Sequence, residues 1–438
     1  MSALAALLLH MGKRVSGSDS LPGPVVDALG AEGATVYPAH AAAQVDGADY
    51  VVRSSAVPAD NVEVAEALRR GLPVRKLAEA VGELMAERTG VAIAGTHGKT
   101  TTTALVAWLL ECGGLDPLAL VGGDVPAFAH GARLGSGPMV VEADEYDRRF
   151  LHYWPAVAVV TSIEADHLDY YRDLDEIRAA FQTLVDRLPP DGRLVVCADE
   201  PGAFALHTVA QRETYGFAAA ADWRLRDYAA QPAGGSSFVL ETGGRGWPVR
   251  SPLVGEHNAC NVAAAIAVAD YFGVGLRAAL ATLPDFEGPR RRFETKGRPR
   301  GIRIVDDYGH HPTEVAAVLR AARGAAAGQV WVIFQPHTTN RTAALLDEFG
   351  TSFGDAQHAL ILPIYRPSGR EAAARPVTAA DVVRRVGQTG HPDVRSVESF
   401  AAARAAIVAE AQPGDVVLVM GAGDVTRLAD ELVRALGA

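Results

Sequence analysis

Cysteine is scarce in this chain. Cys112, Cys197 and Cys260 lie far apart and form no CxxC pair. That excludes a disulfide framework and a cysteine-zinc site, and it fits a reducing cytosol. Positive charge is also short, with 41 Lys and Arg against 52 Asp and Glu and a formal net charge of −11. A chain this acidic is a poor candidate for general nucleic-acid binding. No apolar run approaches the ~18 residues that span a membrane. The N-terminal MSALAALLLHMGKRV superficially resembles a signal peptide, but its basic pair Lys13 and Arg14 follows the apolar run instead of preceding it. Neither a repeat nor a long low-complexity tract occurs. What remains is a chain of 438 residues, 49% hydrophobic and 21% charged, enough for about three domains at roughly 150 residues each.

One pattern recurs along the chain: a short β-branched apolar run, a polar cluster, then a helical stretch. Such alternation predicts βαβ units and parallel sheets. Strands are predicted at 14–18, 50–53, 91–94, 139–141, 157–161, 194–197, 302–305, 330–334, 360–363 and 416–420. Helices are predicted at 62–70, 77–87, 100–111, 174–188, 261–272, 313–323 and 425–436. The stretch 218–246, with its Gly-Gly pairs, reads as an antiparallel excursion within the middle domain. Boundaries fall before the helix at 77–87 and near 285–289, giving domains 1–78, 79–286 and 287–438. In open α/β sheets ligands bind beyond the carboxyl ends of the strands. Here those ends carry Glu142 to Glu145, Glu164 to His167, Asp306 to His311, Gln335 to His337 and Gly421 to Asp424. Polar clusters at strand ends in two successive domains predict one site at the domain junction.

The most specific motif is VAIAGTHGKTTTT, beginning at Val91. An apolar strand breaks into Gly95, Thr96, His97, Gly98, Lys99 and Thr100, and a helix follows. The glycines let backbone N–H groups converge on phosphate oxygens, and the helix presents its positive end to the same anion. Lys99 adds a point charge, and the Thr100 hydroxyl is placed to hold Mg²⁺. The motif therefore predicts a nucleoside triphosphate as energy source. Its two glycines enclose two residues, fewer than in the commonest phosphate loops.

Other clusters keep two readings at this stage. Glu142 either caps a turn or, with Thr100, supplies oxygen ligands to Mg²⁺. His167, in EADHLDYY, is either a hydrogen-bonded structural group or a metal ligand, although imidazole favours softer metals. Asn258 and Asn261, in GEHNACN, either cap a helix or match the donor and acceptor pattern of adenine. Arg290, Arg291 and Arg292 are either a solvated run or the charges that neutralise a migrating phosphoryl group.

GTHGKTTTT, EADEYDRRF, TSIEADHLDYY, GEHNACN, FEGPRRRFE, DDYGHHPTE, FQPHTTNRT and MGAGD stand in the order found in the Mur ligase superfamily, and the chain resembles that superfamily from Met1 to about Asp424. DYGHHPTE followed by FQPH resembles the branch that adds L-alanine to UDP-N-acetylmuramate. The resemblance implies an α/β, three-domain ligase of the cytoplasm, a monomer or homodimer. Its N-terminal Rossmann-like domain would hold the UDP-sugar, its central domain ATP, and its C-terminal Rossmann-like domain the amino acid. Carried over by motif, Gly95, Thr96, His97, Gly98, Lys99, Thr100 and Thr101 meet the phosphates, and Asn258 and Asn261 meet adenine. An arginine of the Arg291–Arg292 pair reaches the phosphates from the third domain, Arg292 being the catalytic choice. Thr100 and Glu142 bind one Mg²⁺ and His167 a second. Asp144, Glu145, Tyr308, His310 and His311 line the acceptor site, Arg341 faces the amino-acid carboxylate, and His310 serves as base. For the nucleotide-sugar the candidates are Ser18, Asp19, His40, Ser54 and Ser55.

Three departures from the family pattern stand out. Met1 and Ser2 resemble the end of the GIGGxGMS turn, so the first strand and its diphosphate loop are expected to be missing. Ser162 replaces an Asn. Thr338 replaces an Arg, which leaves Arg341 as main anchor for the amino acid. Two other readings compete. One is a recycling ligase that attaches L-Ala-γ-D-Glu-meso-diaminopimelate, although that family favours DFAHHPT and EPRSN. The other is a nucleotide-binding module without ligase turnover.

Overall fold

The computed structural model describes residues 1–20, 23–128, 131–168, 170–231, 234–366 and 377–437. Contacts divide the chain into two compact units. One comprises Met1–Asp166, Asp173–Arg224 and Asn261–Thr282; the other comprises His167–Arg172, Leu225–Cys260 and Leu283–Ala438.

In the first unit, Gly90–Ala94 and Val157–Val160 are buried at every position. Their sequences are unbroken apolar runs, as a parallel strand covered on both faces requires. Gly90–Ala94 pairs in parallel with Met139–Glu142 on one side and with Val157–Val160 on the other. Leu118–Leu120 and Ala132–Arg133 extend one edge, and Arg193–Cys197 and Gln211–Gly216 the other. The register sets Ile93 beside Glu142 and Ala94 beside Val160, so the segments leaving these three strands emerge together. Nearer the N-terminus, a helix at Ser2–His10 precedes two separate parallel pairs, Ser16–Ser18 with Thr35–Tyr37 and Val51–Arg53 with Val74–Lys76.

The second unit holds a six-stranded sheet in the order Glu294–Gly297, Arg303–Asp307, Val416–Met420, Val330–Phe334, His358–Ile361, Val394–Ser396. Only the first strand is antiparallel to its neighbour. Side chains alternate across it. Val305, Val332, Phe334, Leu418 and Met420 join one core, and Ile304, Trp331, Ile333, Val417 and Val419 join the other. The helices at Pro312–Ala325 and Thr426–Gly437 cover opposite faces, contributing Val315 and Leu319 to the first core and Leu428 and Leu432 to the second.

The predicted elements recur with shifted ends. The helix expected at 261–272 starts earlier, at Glu256, and runs to Tyr271. The stretch 218–246, read as an antiparallel excursion, holds an antiparallel hairpin and one strand that begins parallel. Trp223–Ala230 begins parallel to Gln211–Gly216, through Tyr215↔Trp223 and Gly216↔Arg224. The antiparallel hairpin is confined to Ser236–Thr242 and Arg245–Ser251, turned by Gly243 and Gly244 at φ of 57° and 73°. By its contacts, Leu225–Cys260 is counted in the second unit. Alternation marks a strand without fixing its direction or its partner, which is why the parallel start of Trp223–Ala230 was not legible.

Gly82, inside the helix Leu77–Ala86, has no room for a side chain. A Cβ there would sit 2.1 Å from the carbonyl oxygen of His152. Alanine normally favours a helix over glycine by about 1 kcal/mol. Here the backbone would have to move, so Gly82→Ala should destabilise by roughly 1–3 kcal/mol net. Urea denaturation should show a lower midpoint, and an unchanged or higher midpoint would mean that this packing is not close.

Candidate functional site

In the first unit the strand Gly90–Ala94 ends in Gly95, whose φ of 134° suits glycine alone. A Cβ at Gly95 would lie 1.9 Å from Thr161 Oγ1. The neighbouring strand end grips the loop. Thr96 N–H donates to Ser162 O at 2.9 Å, His97 N–H to Ser162 Oγ at 3.1 Å, and Thr161 Oγ1 to His97 O at 2.5 Å. Ser162 thus does a loop-holding job with its hydroxyl, where the family pattern has an amide. Gly98, at φ 79°, opens the helix Lys99–Cys112 without a side-chain cap, and a Cβ there would lie 2.6 Å from Asn261 Oδ1. The first-turn amides of that helix therefore face a site shaped by backbone.

Lys99 is the fixed charge of this loop. Its Nζ donates to Gly95 O at 2.5 Å, Thr96 O at 3.2 Å and both Glu145 oxygens at 2.8 and 3.1 Å. Burial acts to lower its pKa, but the carboxylates of Glu145, Asp144 and Glu142 outweigh this and raise it. Lys99 is therefore a permanent ammonium. Thr100 Oγ1 donates to Glu142 Oε1 at 3.0 Å, and Gly122 N–H donates to Glu142 Oε2 at 2.8 Å. A hydroxyl and a carboxylate side by side are hard oxygen donors of the kind Mg²⁺ takes. Thr101 is buried in the same turn. Asn261 Oδ1 accepts from Thr102 Oγ1 at 3.1 Å, which ties the adenine candidate to the phosphate-loop helix. Asp144 pairs with Arg149 at 2.9 Å.

Two smaller clusters hold the candidates for the nucleotide-sugar. Ser18 Oγ donates to Glu63 at 2.7 Å and meets His40 Nδ1 at 2.7 Å. Asp19 follows, its N–H bonded to Tyr37 O. Ser55 Oγ donates to Asp147 at 3.3 Å, which Lys76 also pairs at 3.2 Å, while Ser54 Oγ accepts from Ala56 N–H. Glu63 was missed from sequence, since it lies 45 positions from Ser18 in a helix of ordinary charged residues.

In the second unit Asp307 is fully enclosed at the end of Arg303–Asp307. Its two oxygens accept from Phe293 N–H and Gly309 N–H, both at 2.7 Å. Burial pushes its pKa up to about 6, against the pull of Arg292 and the two amides. His310 Nδ1 lies 3.2 Å from Tyr308 O, an arrangement that places the proton on Nδ1 and makes Nε2 the basic atom. Its backbone N–H donates to Glu314, which also accepts from His311 N–H. His311 is the N-cap of Pro312–Ala325, its ring accepting from Thr313 N–H at 3.3 Å. Glu314 completes that capping box, a role legible in the HPTE sequence but absent from the candidate set. Tyr308 lies edge-on to His310 at 5.4 Å, and His310 to His337 at 5.6 Å. Arg341 Nη1 approaches His337 Nδ1 at 3.3 Å. Thr338, at φ 61°, caps the short helix Thr339–Ala344, its hydroxyl accepting from Arg341 N–H at 3.4 Å. So Thr338 seats Arg341 where the family pattern has a second cation.

Asn258 stands inside the first turn of Glu256–Tyr271 and donates to Val254 O at 2.8 Å, so it does not cap that helix. His167 has a φ of 55°, and its carbonyl accepts from Tyr170 and Tyr171 N–H. Of the three predicted metal ligands, Thr100 and Glu142 are bonded within the first unit, whereas His167 is counted in the second.

The chain is similar to known proteins along most of its length. The family profile described as "Mur ligase family, catalytic domain" matches residues 1–89, "Mur ligase middle domain" residues 93–269, and "Mur ligase, glutamate ligase domain" residues 291–423. The comparisons do not support the expected loss of the N-terminal strand. UDP-N-acetylmuramate--L-alanine ligase of Kineococcus radiotolerans is 45% identical, over 100% of this chain and 94% of its own length. The protein of the same name from Acidobacterium capsulatum is 42% identical over 100% and 95%. Among solved structures, UDP-N-acetylmuramate-alanine ligase of Thermotoga maritima superposes with a TM-score of 0.81 at 25% identity, covering 99% of this chain and 96% of that one. A murein peptide ligase of Psychrobacter arcticus gives 0.70 at 27% identity, covering 100% and 96%.

Asp307 generates a test of the electrostatics. Its pKa in the folded chain lies above the ordinary value of 3.8, so its contribution to stability is fully present at acid pH and is lost as pH rises from about 4 through 6. At about 1.4 kcal/mol per pH unit between the two values, the loss is about 3 kcal/mol. Denaturation of the parent and of Asp307→Asn between pH 4 and 7 should give stability curves that diverge by that order. Parallel curves would refute the assignment.

Proposed function

The chain belongs to the Mur ligase family of ATP-dependent ligases, and on that premise we propose that it joins L-alanine to the lactyl carboxylate of UDP-N-acetylmuramate in peptidoglycan biosynthesis. The observation that carries the substrate assignment is full-length identity of 45% to a relative of that name. As part of the same proposal, the chain is divided into a UDP-sugar domain at 1–78, an ATP domain at 79–286 and an amino-acid domain at 287–438, and it works in the cytoplasm.

The chemistry sets the roles. A carboxylate resists attack by an amine because oxide is a poor leaving group. Transfer of the γ-phosphoryl of ATP to the lactyl oxygen gives an acyl phosphate and ADP. The neutral amine of L-alanine then attacks the acyl carbon, and phosphate leaves from the tetrahedral intermediate as the amide forms. Each step moves negative charge through the phosphoryl oxygens. Lys99, the amides after Gly98 and Arg292 neutralise that charge in place. Thr100 and Glu142 would hold one Mg²⁺ and His167 a second, and such ions would supply charge neutralisation of the same kind. His310, with its proton on Nδ1, accepts the proton of the attacking amine at Nε2. Arg341, seated by Thr338, orients the amino-acid carboxylate. Asn258 and Asn261 take adenine. Ser18, Asp19, His40, Ser54 and Ser55 are assigned to the nucleotide-sugar.

ADP release with ATP, Mg²⁺ and UDP-N-acetylmuramate, adding L-alanine, glycine, L-serine or the tripeptide in turn, tests the reading. Release should require both the UDP-sugar and L-alanine. Release with the tripeptide alone would replace this substrate by that of the recycling ligase, and release with no acceptor would refute it. Lys99→Met should lower kcat about 10²- to 10³-fold, as for loss of one charge-stabilising donor. A loss below tenfold would remove Lys99 from the mechanism.

A further inference from the structure

The turn Gly421–Asp424 takes no part in the chemistry assigned above, although it closes the strand at the centre of the six-stranded sheet. Val416–Met420 lies between Arg303–Asp307 and Val330–Phe334, so the turn emerges between the strand ends at Asp307 and Phe334. It is pressed against its neighbours. A Cβ at Gly421, where φ is 146°, would lie 2.7 Å from Gln335 O, and one at Gly423 would lie 2.6 Å from Tyr365 Cγ. Arg291 holds both of its glycine carbonyls. Nη2 donates to Gly421 O at 2.5 Å and reaches Gly423 O at 3.4 Å. Nε lies 3.7 Å from the carboxylate of Asp306, which is 0% exposed and also accepts from Thr426 Oγ1 at 2.5 Å.

The backbone delivers Arg291 to this cradle. Arg291 and Phe293 both adopt left-handed φ, 57° and 53°, a conformation few side chains tolerate without support. Three bonds supply the support: Arg291 N–H to Glu294 at 2.9 Å, Phe293 N–H to Asp307 at 2.7 Å, and Tyr308 N–H to Arg291 O at 2.8 Å. Both guanidinium groups of the pair stand near the Tyr308 ring, at 5.0 and 5.2 Å, but their other partners differ. Arg292 has Glu314 at 4.0 Å and is not committed to the turn.

We infer that Arg291 is a positioning residue that locks the Gly421–Asp424 turn onto the end of Arg303–Asp307, and that Arg292 alone of the pair serves the phosphates. The second half rests on the proposed ligase reading; the lock itself does not. The turn seats Tyr365, whose ring stacks on His337 at 5.7 Å and whose carbonyl accepts from Thr338 N–H at 3.0 Å. Loosening the turn therefore disturbs the His337–Thr338–Arg341 segment.

The test uses the full chain with Arg291→Met and Arg292→Met. Hydrogen exchange of the 421–425 amides should speed up at least about tenfold in Arg291→Met and stay at the parent rate in Arg292→Met. Binding of Mg²⁺-ADP should weaken about tenfold or more in Arg292→Met and change less than about twofold in Arg291→Met, whose KM for L-alanine should rise instead. Equal loss of ADP affinity in both variants, or unchanged exchange at 421–425 in Arg291→Met, would overturn the inference. If Arg291→Met does not fold, Arg291→Lys takes its place, since its single ammonium cannot span both carbonyls and Asp306. Exchange and ADP binding need no turnover, so the lock can be judged even if no acceptor supports ADP release.

Discussion

A parallel strand covered on both faces can keep polar side chains only at its ends, and the chemistry of this protein follows from that constraint. Gly90–Ala94, Val330–Phe334 and Val416–Met420 are buried throughout. Register then aligns their ends. Ile93 lies beside Glu142 in the first unit, and Asp307 beside Met420 in the second. The phosphate loop, the Asp307–His311 segment, the Gln335–Arg341 segment and the Gly421–Asp424 turn are what leaves those ends.

Charges gathered at such places are partly removed from water and persist only when paired. The pairs here also set geometry. Glu145 keeps Lys99 folded over its own loop. Asp307 joins Phe293 to Gly309 and holds the arginine turn against the histidine segment. Asp306 and two glycine carbonyls receive Arg291. Removing the cation of a buried ion pair leaves its carboxylate uncompensated, so Lys99 and Arg291 bear on stability.

Much of the site was legible because its motifs are local. Gly95 to Thr100 must be contiguous for backbone amides to converge on one anion, and the strand before and helix after them have distinct periodicities. The family resemblance likewise named Asn261, Glu142 and Arg341 as candidates. Other features depended on residues distant in sequence. Ser162 supports the loop across 65 positions, and Glu63 meets Ser18 across 45. The stretch 218–246 showed its antiparallel hairpin but not the parallel start of Trp223–Ala230.

The sequence by itself determined the alternation of strand and helix, the glycine loop between them and the family, because periodicity, glycine placement and contiguous motifs are written along the chain. Tertiary structure alone decided which of two adjacent like residues does which task. His310 faces Tyr308 O while His311 caps a helix. Arg291 grips a turn while Arg292 approaches Glu314. Such pairs are equivalent in composition. They are separated by backbone torsion and by partners brought from other strands, which no local pattern encodes.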